Sequence, residues 1–341
     1  FCMLKHLEAL CRLCGTSGNE QDVRAYILQT IGDLGTCTVD PLGNLLVLRK
    51  GRKRPEKTLM LSAHMDEVGM IVTSIRSDGS LTFGAVGGVD PFVMIGRQVL
   101  VGDATLPGVI GAKAVHKLSA AQRDQAPTCD ALSIDIGAVD AEQAKRYVRP
   151  GDFVHFLPNY RSMGDGMIAS KALDDRAGCA ILLDLLEQEP EYDTWFAFLV
   201  QEEVGLRGAM AAAYTIAPDY AIVLETTTAS DIPDVSGAKQ VCRLGGGAVV
   251  SFMDRSTLYD RELYRLAFDT ARREQIPVQT KTMIAGGNDS GAIHISGKGV
   301  RTLAISAPCR YLHSPSCVLA YKDLCACEQL AGAMMQEIRQ L

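Results

Sequence analysis

Short, mainly apolar runs at residues 58–62, 195–200 and 220–224 read as buried strands, because they are brief, bounded by polar clusters and without helical spacing. Helical spacing appears elsewhere. Leu4, Leu7, Leu10 and Cys11 share one face over residues 3–13, and Val23, Ile27, Ile31 and Leu34 form a second stripe after the break Gly15-Thr16-Ser17-Gly18-Asn19-Glu20, where Ser17 or Asn19 is expected to cap the helix. Both helices are expected to serve as packing elements. The turn Asp40-Pro41-Leu42-Gly43-Asn44 joins strands at 37–39 and 45–48 into a hairpin. Further helices are predicted at 180–187, 208–214 and 322–341, so strands and helices alternate at both ends of the chain.

From about residue 71 to 160 the pattern changes to short β-like segments punctuated by Gly87-Gly88-Val89-Asp90-Pro91, Pro107-Gly108 and Arg149-Pro150-Gly151-Asp152, with helical spacing only at 141–147. This predicts an α/β fold in which a central mixed sheet flanked by helices (residues 1–69 and 166–341) is interrupted by a small β-barrel (residues 70–165). A chain of 341 residues is long enough for two such bodies. His116 and His155 have no acidic partner at ligand spacing and are expected to be ordinary polar or interface residues. Composition adds exclusions. A net charge of −6 offers no basic footprint for nucleic acid, and no apolar run reaches membrane-spanning length. The eleven cysteines have no regular spacing and fit reduced thiols in a cytoplasmic protein.

The chemistry gathers where predicted strands stop. Glu202 and Glu203 follow the run 195–200, and since side chains alternate along a strand, one can face a cation and the other a substrate. His64 and Asp66 end the run 58–62 two residues apart, the spacing at which a carboxylate can hold a ligating imidazole. In Asp174-Asp175 one acid can cap the following helix while the other turns to a cation, and its two oxygens can bridge a pair of ions. Glu225 closes another strand, and His313 lies in the loop before the last helix. Strand ends on one edge of an α/β sheet form a crevice, so His64, Asp174, Glu203, Glu225 and His313 can converge. Two imidazoles and three carboxylates suit two ions of Zn2+, Co2+ or Mn2+, which can share and activate a water. Glu202, beside a ligand but not needed as one, suits a general base that then protonates a leaving amine.

Four segments, His64-Met65-Asp66-Glu67-Val68-Gly69, Lys171-Ala172-Leu173-Asp174-Asp175-Arg176, Gln201-Glu202-Glu203-Val204-Gly205-Leu206-Arg207-Gly208-Ala209 and Arg310-Tyr311-Leu312-His313-Ser314-Pro315, together resemble the tetrahedral, or TET-type, aminopeptidases, a family with glutamyl, deblocking and endoglucanase-catalogued members. The resemblance implies a PDZ-like inserted domain. It implies that His64 binds one ion, that Glu203 and His313 bind the other, that Asp174 bridges them, and that Asp66 holds His64. Glu225 replaces the aspartate usual at its position, and Asn288-Asp289 stand where the family often has Thr-Asp, which makes them candidates for substrate contact only. It further implies peptide substrates and a homo-oligomer, a dimer-built tetrahedral dodecamer assembled through the inserted domain. Two other hydrolases compete: a metal-dependent deacylase of N-acyl amino acids, and a glycoside hydrolase using Glu202 and Glu203. A single Trp and 6% aromatics offer the latter few sugar platforms, and it leaves His64 and His313 without roles.

Overall fold

The computed structural model describes residues 2–338 and 341. Its main sheet runs Thr36–Val39, Leu45–Arg49, Thr194–Leu199, Leu59–His64, Tyr220–Thr228, Arg301–Arg310, Cys317–Ala320, Met167–Ser170 and Arg161–Met163, with Ala248–Val250 and Val278–Thr280 branching off Arg301–Arg310. The four strands from Thr194–Leu199 to Arg301–Arg310 are mutually parallel. They are mainly apolar up to their C-terminal ends because both faces are covered. Leu59, Leu61 and Ala63 pack with helices Cys2–Arg12, Gln21–Ile31, Leu173–Glu187, Arg261–Arg273 and Tyr321–Glu337. Met60 joins Arg207–Ile216 and Ser290–Ile293 in a separate core. The alternation of Leu59–His64 thus divides one strand between two cores.

The inserted segment closes into a six-stranded barrel in the order Gly69–Ile75, Leu81–Val86, Leu132–Asp135, Leu106–Ala112, Gln98–Val101 and Phe153–Phe156. It encloses its own core around Met70, Phe83, Ile110, Ile134 and Phe156. The chain rejoins the main sheet at Arg161–Met163.

Local expectations gave way to tertiary demands in two places. Ser17 and Asn19 do not cap the second helix, whose N-cap position is Glu20 with no side-chain cap bond. The Ser17 hydroxyl donates instead to Asp66 Oδ2 at 2.6 Å, and Asn19 Nδ2 lies 3.2 Å from His155 Nε2. Nor does the strand at 220 stop before Glu225. It continues to Thr228 because each residue from Tyr220 to Thr228 pairs with Arg301–Arg310, while its other neighbour, Leu59–His64, ends beside it.

Candidate metal centre

His64 is the last residue of its strand, so its imidazole emerges at the C-terminal edge of the parallel strands, buried to 1% exposure. Its Nδ1 lies 3.1 Å from the Asp66 carbonyl and 3.3 Å from Asp66 Oδ1, which assigns the Nδ1 proton and leaves Nε2 facing the crevice. His313 repeats the arrangement from the opposite end of the sequence. Its Nδ1 is 3.0 Å from the Gly88 carbonyl of the barrel, leaving Nε2 to face the same crevice. The residue before it requires glycine, because Gly87 at φ +83° would place a Cβ 2.9 Å from Val68 Cγ1.

Asp174 sits between the two rings. Its Oδ1 is 3.4 Å from His64 Nε2 and its Oδ2 3.5 Å from His313 Nε2. The neighbouring Asp175 takes the helix role, accepting the Gly178 N–H at 2.9 Å and the His64 N–H at 3.3 Å. Glu225 Oε1 is 3.5 Å from His64 Nε2, and Glu203 Oε2 is 3.2 Å from His313 Nε2. Two triads of donors, His64–Asp174–Glu225 and Asp174–Glu203–His313, therefore share one carboxylate. Glu202 Oε2 stands 4.0 Å from His64 Nε2, and a third grouping, His64–Glu202–Glu203, includes it.

Glu202 and Glu203 are not separated by strand alternation. The strand ends at Leu199, and a turn with Gln201 at φ 57° carries both acids. Side chains from three other segments hold that turn by its successive N–H groups. Asn44 Oδ1 accepts from Val200 at 2.9 Å, Glu20 Oε1 from Gln201 at 3.2 Å, and Asp66 from Glu202 and Glu203 at 3.0 and 3.1 Å. Asp66 thus orients both, its Oδ1 beside the imidazole and the Glu202 N–H and its Oδ2 on the Glu203 N–H. The hairpin residue Asn44 and the N-terminal Glu20 have no sequence pattern that marks them, since their partners are backbone groups brought near only by folding.

Burial and crowding set the charges of the crevice. Burial raises Glu203 to about 8, with Asp174 adding to the effect, and raises Glu225 to about 7; Glu202 also rises with burial, reinforced by Asp289, Glu225 and Glu203. His313 is raised to about 9 by its hydrogen bond to Asp174, and His64 is raised despite burial because Glu225, Asp174 and Asp66 surround it. Protons held at these raised values offset an excess of carboxylates with which, among the described residues, no lysine or arginine forms an ion pair. Asp174 Oδ1 is buried without a hydrogen bond. A shared orphan oxygen between imidazole and carboxylate donors fits divalent zinc, cobalt or manganese, which would replace those protons.

The basic residues of the motifs are engaged elsewhere. Lys171 Nζ reaches Glu67 at 2.7 and 2.9 Å, and Arg176 Nη2 reaches it at 3.2 Å, all three side chains being almost wholly buried. Arg176 also donates to the Met65 carbonyl at 2.8 Å and to that of Leu10, tying the first helix to the strand end. Asn288 lines the cleft and accepts the Ser290 N–H at 2.9 Å, whereas Asp289 is buried with neither oxygen hydrogen-bonded. His155 sits at the barrel–body seam, bonded to Thr16 Oγ1 at 2.9 Å; His116 is exposed.

Comparison with known proteins agrees with this geometry. A putative aminopeptidase from Acetivibrio thermocellus is 37% identical over 94% of this chain and 95% of its own length. The lysyl aminopeptidase of Pyrococcus furiosus is 31% identical over 96% of this chain and 95% of its own. Among solved structures, the Pyrococcus horikoshii TET1 peptidase, described as assembling into a tetrahedron or a large octahedral shell, superposes with a TM-score of 0.86 at 34% identity, covering 98% of this chain and 99% of that one. The M42 glutamyl aminopeptidase profile matches residues 43–330, and on that match, with these relatives, the chain belongs to the M42 family and is a metal-dependent aminopeptidase.

Proposed function

We propose that the chain removes N-terminal residues from short peptides using two divalent ions, one held by His64, Asp174 and Glu225 and the other by Asp174, Glu203 and His313. The observation that supports this most directly is Asp174, whose two oxygens face Nε2 of two different histidines. Zinc, cobalt or manganese ions, when bound, supply an acidified water and a polarised peptide carbonyl. Glu202 belongs to neither of those triads and stands beside them, so its carboxylate accepts a proton and returns it to the departing amine. Asp66 keeps the acidic turn and the His64 ring in register.

The test separates the two carboxylates. Chelator should abolish hydrolysis of aminoacyl anilides and Zn2+ or Co2+ should restore it, while Glu202→Gln should retain its ions by elemental analysis and lose roughly 10²–10⁴-fold in kcat. Full activity in excess chelator after dialysis would refute the ion-dependent reading. Loss of ions in Glu202→Gln would instead place Glu202 among the ligands, through its grouping with His64 and Glu203.

The reading extends to assembly: residues 70–165 act as the dimerisation domain of a twelve-subunit tetrahedral shell. Exposed Phe92, Val115, Val139 and Tyr147 on that segment support it, as does the shell formed by the P. horikoshii relative. Light scattering of the metal-loaded protein should give a mass near twelve chains; the mass of one or two would exclude the shell. The eleven free cysteines favour the cytoplasm, and among the described residues no helix is long and apolar enough to cross a membrane.

A further inference from the structure

A second cluster of metal-ligating side chains lies away from the crevice, where three helices meet. Cys2 and His6 come from the start of Cys2–Arg12, one turn apart and so on one face, Glu187 is the last residue of Leu173–Glu187, and Tyr26 stands behind them on Gln21–Ile31. Asp174 is at the other end of the helix that carries Glu187, roughly 20 Å away at the α-helical rise. The cluster is therefore separate from the crevice.

Cys2 Sγ is 3.2 Å from His6 Nε2, His6 Nε2 is 3.3 Å from Glu187 Oε1, and Glu187 Oε1 is 3.5 Å from Cys2 Sγ. These are the edges of a coordination face. Thiolate, imidazole and carboxylate at ordinary zinc distances, set tetrahedrally, stand about 3.6 Å (S···N), about 3.3 Å (N···O) and about 3.5 Å (S···O) apart. Hydrogen bonds serve the same triangle less well, because one thiol S–H and one ring N–H supply at most two protons for three edges. A single ion takes a lone pair from each corner. The His6 ring is buried, and its Nδ1 lies 2.9 Å from the Tyr26 hydroxyl, the kind of partner that fixes a ligating imidazole with Nε2 free. Among the described residues no lysine or arginine forms an ion pair with Glu187, or with Asp184 one turn before it. Partial burial raises the Cys2 thiol above its usual range, with the hydrogen bond to Glu187 and the charges of Glu187 and Asp184 adding and Lys5 opposing. A divalent ion relieves that crowding by sending the thiol proton to solvent.

We propose that Cys2, His6 and Glu187 form a zinc site distinct from the crevice, which clamps the first helix to the far end of the helix that starts at Asp174. The inference does not rest on the aminopeptidase reading. The donor set selects the ion, since a thiolate is a soft ligand that zinc, or cobalt in its place, accepts and that Mg2+ and Mn2+ bind poorly. Because Cys2 and Glu187 are exposed, the fourth position of the tetrahedron opens to solvent and takes a water.

Cobalt reads this site apart from the crevice. Thiolate bound to Co2+ gives a near-ultraviolet charge-transfer band, and no donor group of the crevice contains sulfur. The whole chain, reduced and freed of ions, is titrated with Co2+, and in parallel loaded with Zn2+ and analysed for metal after gel filtration. The wild-type protein should develop the band and hold one zinc more per chain than Cys2→Ser, which should show no band. Glu187→Gln keeps the thiolate and should need more cobalt for half the band, by at least the roughly 10-fold that even a hydrogen-bonded partner of a ligand contributes. The proposal is overturned if the wild-type protein gives no band, if Cys2→Ser keeps the band or holds as much zinc, or if Glu187→Gln titrates like the wild type. Because the band is read on the unmodified protein, a variant that fails to fold does not rescue it. The difference in zinc content is counted whatever the crevice holds, which keeps this result apart from the number of ions at Asp174.

Discussion

Glu225 reaches the crevice from inside a strand, its Oε1 accepting the Thr226 N–H at 3.0 Å while lying 3.5 Å from His64 Nε2. Shortening it by one methylene withdraws that oxygen without disturbing the strand, whose register is set by backbone pairing. Glu225→Asp should therefore change the order of preference among Zn2+, Co2+ and Mn2+, and leave the melting temperature of the ion-free protein unaltered. Metal content after dialysis against graded free-ion concentrations checks it; an unchanged titration would remove Glu225 from the ligands. At this scale the sequence is informative because candidate ligand types stand out where elements begin or end: His64 closes a strand, Asp174 opens a helix, Glu203 follows a strand in a turn and His313 lies in a loop. The residues that hold them were not readable. Asn44 and Glu20 accept backbone protons from Val200 and Gln201, and any residue's backbone would have served.

The element that joins strand end to helix start is held by charge in the core. Glu67 lies on one motif segment and Lys171 and Arg176 on another, and with all three side chains buried the one carboxylate balances both cations. Glu67→Gln keeps the shape and removes the charge, leaving two buried cations unpaired. Its unfolding free energy should fall by about 3–5 kcal/mol in denaturant titrations, and adding Lys171→Met should recover part of the loss. A drop no larger than that of an exposed pair would show the triad to be dispensable. The existence of strand and helix was legible from apolar runs and composition, since the expected strand at 58–62 and helix at 180–187 fall on Leu59–His64 and Leu173–Glu187. Their ends were less so. Whether Ser17 caps a helix or binds Asp66 is decided by which acceptor folding brings closer, and the reach of Tyr220–Thr228 is decided by its neighbour's length.

Two bodies make up the molecule, and the seam between them contains a histidine that burial keeps neutral. His155 is lowered from 6.5 to about 4 by burial, with Lys171 and Arg176 adding to the effect and Glu67 and Asp22 opposing it. Above the unfolded value neither state binds the proton, so the stability contributed by this packing is fully present. As pH falls from 6.5 towards 4 the unfolded chain gains a proton that the folded one refuses, and stability drains away. Between pH 7 and 5 the loss from this group is about 2 kcal/mol, and His155→Gln should flatten that part of the curve in denaturant titrations at each pH. The barrel itself was readable from its glycine- and proline-rich texture, but not its closure, which depends on Gln98–Val101 meeting Phe153–Phe156 across the sequence. Another crossing of the seam is the Gly88 carbonyl on His313. The ring that faces the acidic crevice from the body thus takes its tautomer and its tilt from the backbone of the barrel, so the position of one body sets the direction of a donor in the other.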